Sequence, residues 1–474
     1  MTGDYQPFEL SVSHSSSRTQ LIISAKSELG TTSETVPLPF TQDQITAQLS
    51  RYSESVHGDV KLESGELKRF GCQLFNCLFH GSVRKLFEQT QMMVSDGTRI
   101  DLNIQDAELS RIPWELMHDG NNFLALSIKT PIVRLAPNPE DQTKSSASIK
   151  LPLRILFAGA KPWGQQPLNL GGQIRQMCVA LRREITEGRV IFHPALGGEV
   201  QAEKLFADMR SGDYHVLHIS THGTFSEDLD KGIVLLEDGL GNSFPVAIEA
   251  IAQRIRDTTL QLVYLDACET AQASTLDASR SLSQTLLRGG AGAVIAMQYS
   301  ISDDSAARFS EGFYDHLMTG ESLCKAVTEA RLVLLDLLGR ETIDWAIPVL
   351  HAKSDYEFVT TGSVQRPLRL GHTDPPSRCL GRDLQLDELT EKLLSESRLV
   401  LVHGFGGIGK STLVQKVLSE IEVLFDDTCF VDCRGITNVV DVVPKICQML
   451  AVNAYPVMEE KLRELTESDT TKMD

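Results

Sequence analysis

The chain has 474 residues, room for about three domains of ordinary size, and its 42% hydrophobic and 23% charged content is that of a globular protein with a sizeable core. A formal net charge of −18 argues against general binding to a nucleic-acid backbone, which such a protein would repel, so no nucleic-acid partner is expected. The N-terminus MTGDYQPFELS has neither a basic n-region nor an apolar h-region, and no window reaches about 18 uninterrupted apolar residues, so neither a secretory signal nor a membrane association is expected. Nine cysteines spread along the whole length are not a disulfide framework, and the odd count suits a reducing cytoplasm.

Taken in order, residues 1 to about 60 hold alternating segments, FELSVS and QLIISAK, that predict a hairpin. Helical spacing of Leu67, Phe70, Leu74, Cys77 and Leu78 predicts helix between Gly65 and Gln91, with Cys72 and Cys77 as packing residues rather than metal ligands. A strand follows at 98–105, and Phe123 to Leu135 supplies two more, giving an accessory α/β layer over 1–136. The polar segment 137–149 reads as a boundary loop. From 150 to 362 strands and helices alternate as a parallel sheet requires: LRILFAG, helix 173–187, GRVIFHPAL, helix 200–209, VLHIS, a hairpin-plus-helix insertion, LQLVYLD, helix 279–287, GAVIAMQ, two helices over 303–338, and IPVLH. The Pro- and Arg-rich stretch 363–378 reads as a linker, and 379–474 as a separate domain.

Two phrases in the central region carry chemistry. YHVLHISTHG (214–223) and QLVYLDACETA (261–271) are both apolar strands that run into small and polar residues. Ligands collect beyond the carboxyl ends of strands in doubly wound sheets. His222 would therefore present a base and Cys268 a thiol, the pairing that yields a reactive thiolate. The bland readings are a small core cysteine and a satisfied strand-end histidine. His215 and His218 lie within the apolar run and read as structural.

These phrases resemble the signature segments of CHAT domains, relatives of caspases, metacaspases and separase, and the histidine roughly 50 residues before the cysteine is the caspase order. RIPWELMHDG (111–120) and DWAIPVLH (344–351) resemble two further CHAT landmarks, and the resemblance covers roughly 65–360. It implies a caspase-like α/β/α sandwich around a parallel sheet. It also implies a cysteine endopeptidase with His222 as base and Cys268 as nucleophile, acting on a protein substrate. In such relatives the backbone N–H groups of Gly223 and Cys268 stabilise the oxyanion. An acid at Asp266 there lines a pocket for a basic side chain, the rival reading being an Asp that caps the next turn. Glu269 reads as solvated.

An independent motif lies at Gly404-x-x-x-x-Gly409-Lys410-Ser411, between an apolar strand and a helix pattern, the setting a P-loop requires. Gly404, Gly406, Gly407 and Gly409 would let backbone N–H groups face phosphate oxygens. Lys410 would reach the β- and γ-phosphates, and Ser411, followed by Thr412, would hold Mg²⁺. GFGGIGKST and CLGRDLQLDELTEKL (379–393) resemble the P-loop and VGR box of STAND ATPases of the NB-ARC and NACHT sort, which implies ATP or ADP as ligand and self-association through this module. FDDTCFVDCRG resembles their second strand, with Cys429 and Cys433 incidental. Residues 413–474 contain no apolar strand ending in paired acids, so the domain is expected to stop short of a Walker B segment and to hydrolyse ATP poorly. The combined expectation is a CHAT peptidase governed by a nucleotide-binding STAND module in bacterial defence or regulated proteolysis. The alternative is a catalytically silent signalling scaffold with a nucleotide-dependent switch.

Overall fold

The computed structural model describes residues 5–136, 147–362 and 379–425, apart from 17, 57, 105, 227–230, 270–275, 355, 396 and 398, together with 428, 431, 433 and 442. The predicted linker and the FDDTCFVDCRG strand fall almost wholly outside the described residues.

The expected hairpin forms from β1 (Gln6–His14) and β2 (Gln20–Ser27), antiparallel with Glu9 opposite Lys26, and β3 (Gly30–Pro37) extends it. Alternation buries Phe8, Leu10 and Val12 on β1 and Leu21, Ile23 and Ala25 on β2. After α1 (Gln42–Val56), the predicted single helical region is two helices, α2 (Glu66–Leu78) and α3 (Gly81–Met93). The break falls where His80 is extended and Gly81 takes a φ of 50°. Strand β4 (Thr98–Ile104) is as expected, and α4 (Ala107–Ser110) is capped by the Asp106 carboxylate. Between Phe123 and Leu135 only one strand forms, β5 (Ile132–Leu135). Leu124 to Leu126 wind into a 3₁₀ turn because Leu124 donates back to the Met117 carbonyl and accepts from Thr130 Oγ1, which curls the apolar residues inward.

The predicted boundary loop ends in a strand, β6 (Ala147–Lys150). The core then runs β7 (Leu153–Gly159), α5 (Leu170–Ala180), α6 (Arg182–Thr186), β8 (Val190–Leu196) and α7 (Ala202–Ser211). It continues with β9 (Val216–Ser226), β10 (Lys231–Glu237), β11 (Ser243–Ala247), α8 (Ile248–Ile255), β12 (Leu262–Glu269) and α9 (Leu276–Arg288). It closes with β13 (Ala293–Met297), α10 (Asp303–Met318), α11 (Leu323–Leu338), β14 (Pro348–Ala352) and β15 (Phe358–Thr361). Strand β15 pairs in parallel with β6 as a separate two-stranded sheet.

Strands β8, β7, β9, β12 and β13 are mutually parallel and β14 closes antiparallel on β13. The N-terminal region is not a separate layer. It continues the same sheet, because β5 pairs in parallel with β14 and passes the ladder to β4 and β1. Alternate residues feed two cores. Ile155, Phe157, Val216, Tyr264 and Ile295 point to one face, under Ile174 and Met177 of α5 and Phe309 and Phe313 of α10. Leu156, Ala158, Leu217, Val263 and Val294 point to the other, under α7, α8 and α9. The chain is an α/β sandwich with helices on both faces of a predominantly parallel sheet.

Beyond β15, α12 (Asp383–Leu394) and α13 (Lys410–Ile421) pack on α5. Residues 399–403, predicted as a strand, carry no ladder among the described residues. Leu399 and Leu401 are exposed while Val400 and Val402 pack inward.

Candidate active site and nucleotide loop

Strands β9 and β12 lie side by side, with Cys268 the register partner of His222, Asp266 of Ser220 and Glu269 of Gly223. Strand β9 continues through His222 and Gly223 to Ser226 because β10 joins it as an antiparallel partner, setting Leu235 beside His222 and Val234 beside Gly223. The side chains of Cys268 and Glu269 lie outside what the structure describes.

His222 is 4% exposed, and its Nε2 lies 2.7 Å from the carbonyl oxygen of Gln166 in the loop between β7 and α5. A carbonyl only accepts, so Nε2 carries the hydrogen and, in the neutral ring, Nδ1 is the basic nitrogen. Sequence reading missed Gln166 because it acts through its backbone and leaves no side-chain signal. The other histidines of the phrase are structural, as expected. His218 stacks on Tyr264 at 4.1 Å, its Nδ1 meets Tyr314 Oη at 3.2 Å, and burial pushes its pKa down to about 3. His215 Nδ1 accepts from the Arg154 N–H at 3.1 Å.

Asp266 faces α5 from beneath. Its Oδ2 accepts from Gln173 Nε2 at 2.9 Å and from Ser220 Oγ at 3.4 Å. Burial, then the nearby Asp303 carboxylate, pushes its pKa up to about 7 against those two hydrogen bonds. Asp303, at the start of α10, is itself raised by burial, opposed by the Asn169 N–H at 2.9 Å and by the His222 ring. Gln173 and Asp303 are thus site residues that no sequence pattern marked. They reach Asp266 only through the packing of α5 and α10 on the sheet.

The two flanking landmarks are structural. Glu115 is buried and grips Arg134, with Oε1 to Nε at 3.0 Å, while the same guanidinium donates to the Ser110 and Ile112 carbonyls. Trp114 and Trp345 are fully buried. Cys72 lies 3.7 Å from His118 Nδ1, and Cys77 is buried with its thiol pushed up to about 12, both within packing. One group among the described residues could hold a metal ion, His14 with Asp106 and Glu108. Arg18 already sets a cation 3.7 Å from Glu108, and Asp106 Oδ1 caps α4, so charge pairing accounts for it.

At the P-loop, Gly404, Gly407 and Gly409 take φ values of 150°, 78° and 92°, backbone that side-chain-bearing residues rarely adopt. A Cβ at Gly406, Gly407 or Gly409 would meet nothing within 4 Å, so the loop is an open cradle. Lys410 Nζ lies across it, donating to the Gly404 and Phe405 carbonyls at 3.0 and 2.9 Å, and Ser411 and Thr412 form the first turn of α13. Arg382, from the VGR-like segment, holds the loop through the Ile408 carbonyl at 2.9 Å. This donor set fits a nucleotide phosphate and its Mg²⁺.

No curated protein matches the chain. Among solved structures it resembles the separase of the Saccharomyces cerevisiae separase–securin complex, determined at 2.6 and 3.0 Å, with a TM-score of 0.44 and 11% identity over 75% of this chain in each case. The chain spans 30% of the length of that separase. The NB-ARC domain model matches residues 382–468, a nucleotide-binding module, and the CHAT domain model matches residues 68–352. Among the described residues no helix is long and apolar enough to cross a membrane. The chain belongs to the CHAT domain family and joins that caspase-like, protease-type domain to an NB-ARC domain.

Proposed function

We propose that this protein is a cysteine endopeptidase in which His222 and Cys268 form the catalytic dyad and the NB-ARC segment is a nucleotide-dependent regulator, working in the cytoplasm in bacterial defence or regulated proteolysis. The observation that carries it is the register of β9 and β12, which sets Cys268 directly beside a histidine whose Nδ1 is the basic nitrogen. In this reading Nδ1 takes the thiol proton and the thiolate sulfur attacks the scissile carbonyl carbon. The Gly223 and Cys268 N–H groups hold the oxyanion, a contribution of roughly 3 kcal/mol per donor in comparable sites. The imidazolium then returns its proton to the leaving amine, and water hydrolyses the thioester. Asp266 receives a basic side chain of the protein substrate before the cleaved bond.

ATP or ADP would sit in the cradle of Gly404, Gly406, Gly407 and Gly409, with Lys410 on the phosphates and Ser411 and Thr412 at the Mg²⁺ end of α13. The module would also carry self-association, and ATP turnover by this chain is expected to be slow. The test is N-terminal peptide profiling of a cell extract treated with wild type, Cys268→Ala or His222→Ala. New termini after Arg or Lys that vanish in both variants support the reading. Identical profiles from all three would leave the nucleotide-switched scaffold.

A further inference from the structure

The described part of the NB-ARC segment does not sit on the CHAT core at random. It covers α5, the helix that reaches Asp266. Gln173 and Arg175 are two residues apart on that helix, so their side chains leave it on opposite sides. Gln173 is buried, its Nε2 on Asp266 and its Oε1 without a hydrogen-bond partner. Arg175 is gripped from above, with Nη2 2.7 Å from Asp387 Oδ1 on α12, Nη1 3.2 Å from Thr390 Oγ1, and Nε 2.9 Å from Glu420 Oε2 on α13. Further along, Arg182 pairs with Glu422 at 2.8 Å.

The loop that orients His222 is held by the same module, since Glu391 of α12 pairs with Lys161 and accepts the Gly171 N–H at 3.3 Å. The backbones meet so closely that a Cβ on Gly171 would fall 2.4 Å from the Asp387 carbonyl oxygen. With the clamp in place Asp266 is 8% exposed and already carries an amide donor, so a substrate's cationic side chain cannot reach it without displacing Gln173.

We propose that the Arg175 clamp is an autoinhibitory latch: α12 and α13 hold α5 down so that Gln173 occupies Asp266, and release of the clamp frees that acid for substrate. The latch deepens the peptidase reading and rests on it for its consequence. The half-satisfied Gln173 amide suits a plug that is meant to leave, because its departure gives up one hydrogen bond and returns an unpaired oxygen to water. The helices that carry the clamp also connect to the nucleotide loop, since α13 starts at Lys410 and Arg382, just before α12, donates to the Ile408 carbonyl.

The experiment uses the full chain as wild type, Arg175→Glu, and the charge-swapped pair Arg175→Glu with Glu420→Arg. It reads amide hydrogen exchange over residues 170–180 and cleavage of a fluorogenic peptide with Arg before the scissile bond. Arg175→Glu is expected to speed exchange in α5 and raise cleavage at least tenfold, and the swapped pair to return both toward wild type. Exchange in α5 unchanged by Arg175→Glu, or faster exchange with cleavage no higher than that of an active wild type, overturns the latch. Faster exchange in α5, reversed by the swap, with no cleavage by any form would uphold the clamp and defeat the peptidase reading instead.

Discussion

Asp266 is an acid kept where its charge is disfavoured. It is buried beside Asp303 and its pKa rises to about 7, so the folded protein prefers the protonated form. Stability from this group is therefore fully present below the usual carboxylate range and is lost as pH rises through about 7, by at most about 4 kcal/mol. Asp266→Asn should flatten that part of the stability profile, seen as denaturant midpoints that change less between about pH 4 and about pH 8 than in wild type, at about 1.4 kcal/mol per pK unit. The same titration shapes the proposed binding of basic side chains, because only the ionised acid attracts a cation. KM for an Arg-containing peptide should fall as pH passes upward through about 7, while a neutral residue at that position should show no such trend.

At the scale of elements, the segment Arg111 to Gly120 acts through Glu115, whose carboxylate is buried against the Arg134 guanidinium of β5. Arg134 also donates to Gln298 at 3.0 Å, just past β13, so one ion pair ties the N-terminal strands to the CHAT core. Removing one partner of a buried pair strands the other charge. Glu115→Ala should cost roughly 3–5 kcal/mol, whereas a double replacement of Glu115 and Arg134 by apolar residues of similar size should cost less. Urea unfolding of the three forms checks this. Helix α5 shows the same logic in a functional setting, since each of its two faces satisfies a different partner, Asp266 below and the NB-ARC acids above.

At the scale of the whole molecule, nucleotide binding should appear as stability. A ligand present at about 100 times its Kd adds roughly 2.7 kcal/mol to a state that binds it. ATP with Mg²⁺ should raise the melting temperature of the wild type, and Lys410→Ala, which removes the cation that lies across the loop, should abolish most of that rise. A shift of equal size in the variant would show that the ligand binds elsewhere.

The sequence by itself determined the α/β class, the order of the core strands and helices, and the P-loop. Those signals are local: hydrophobic period, and glycines at positions where only a missing side chain permits the backbone. It misjudged what depends on a partner strand. HISTHG reads as a strand end, yet it continues because β10 returns alongside it. Phe123 to Leu135 reads as two strands, yet its first part turns because Met117 and Thr130 capture the Leu124 backbone. Only the tertiary structure decided that the N-terminal strands extend the same sheet, that a backbone carbonyl at Gln166 sets the tautomer of His222, and that Gln173 and Asp303 converge on Asp266. Each of these joins residues far apart in the chain through a hydrogen bond or a field that depends on ångströms of packing, and no spacing within a sequence encodes such a distance.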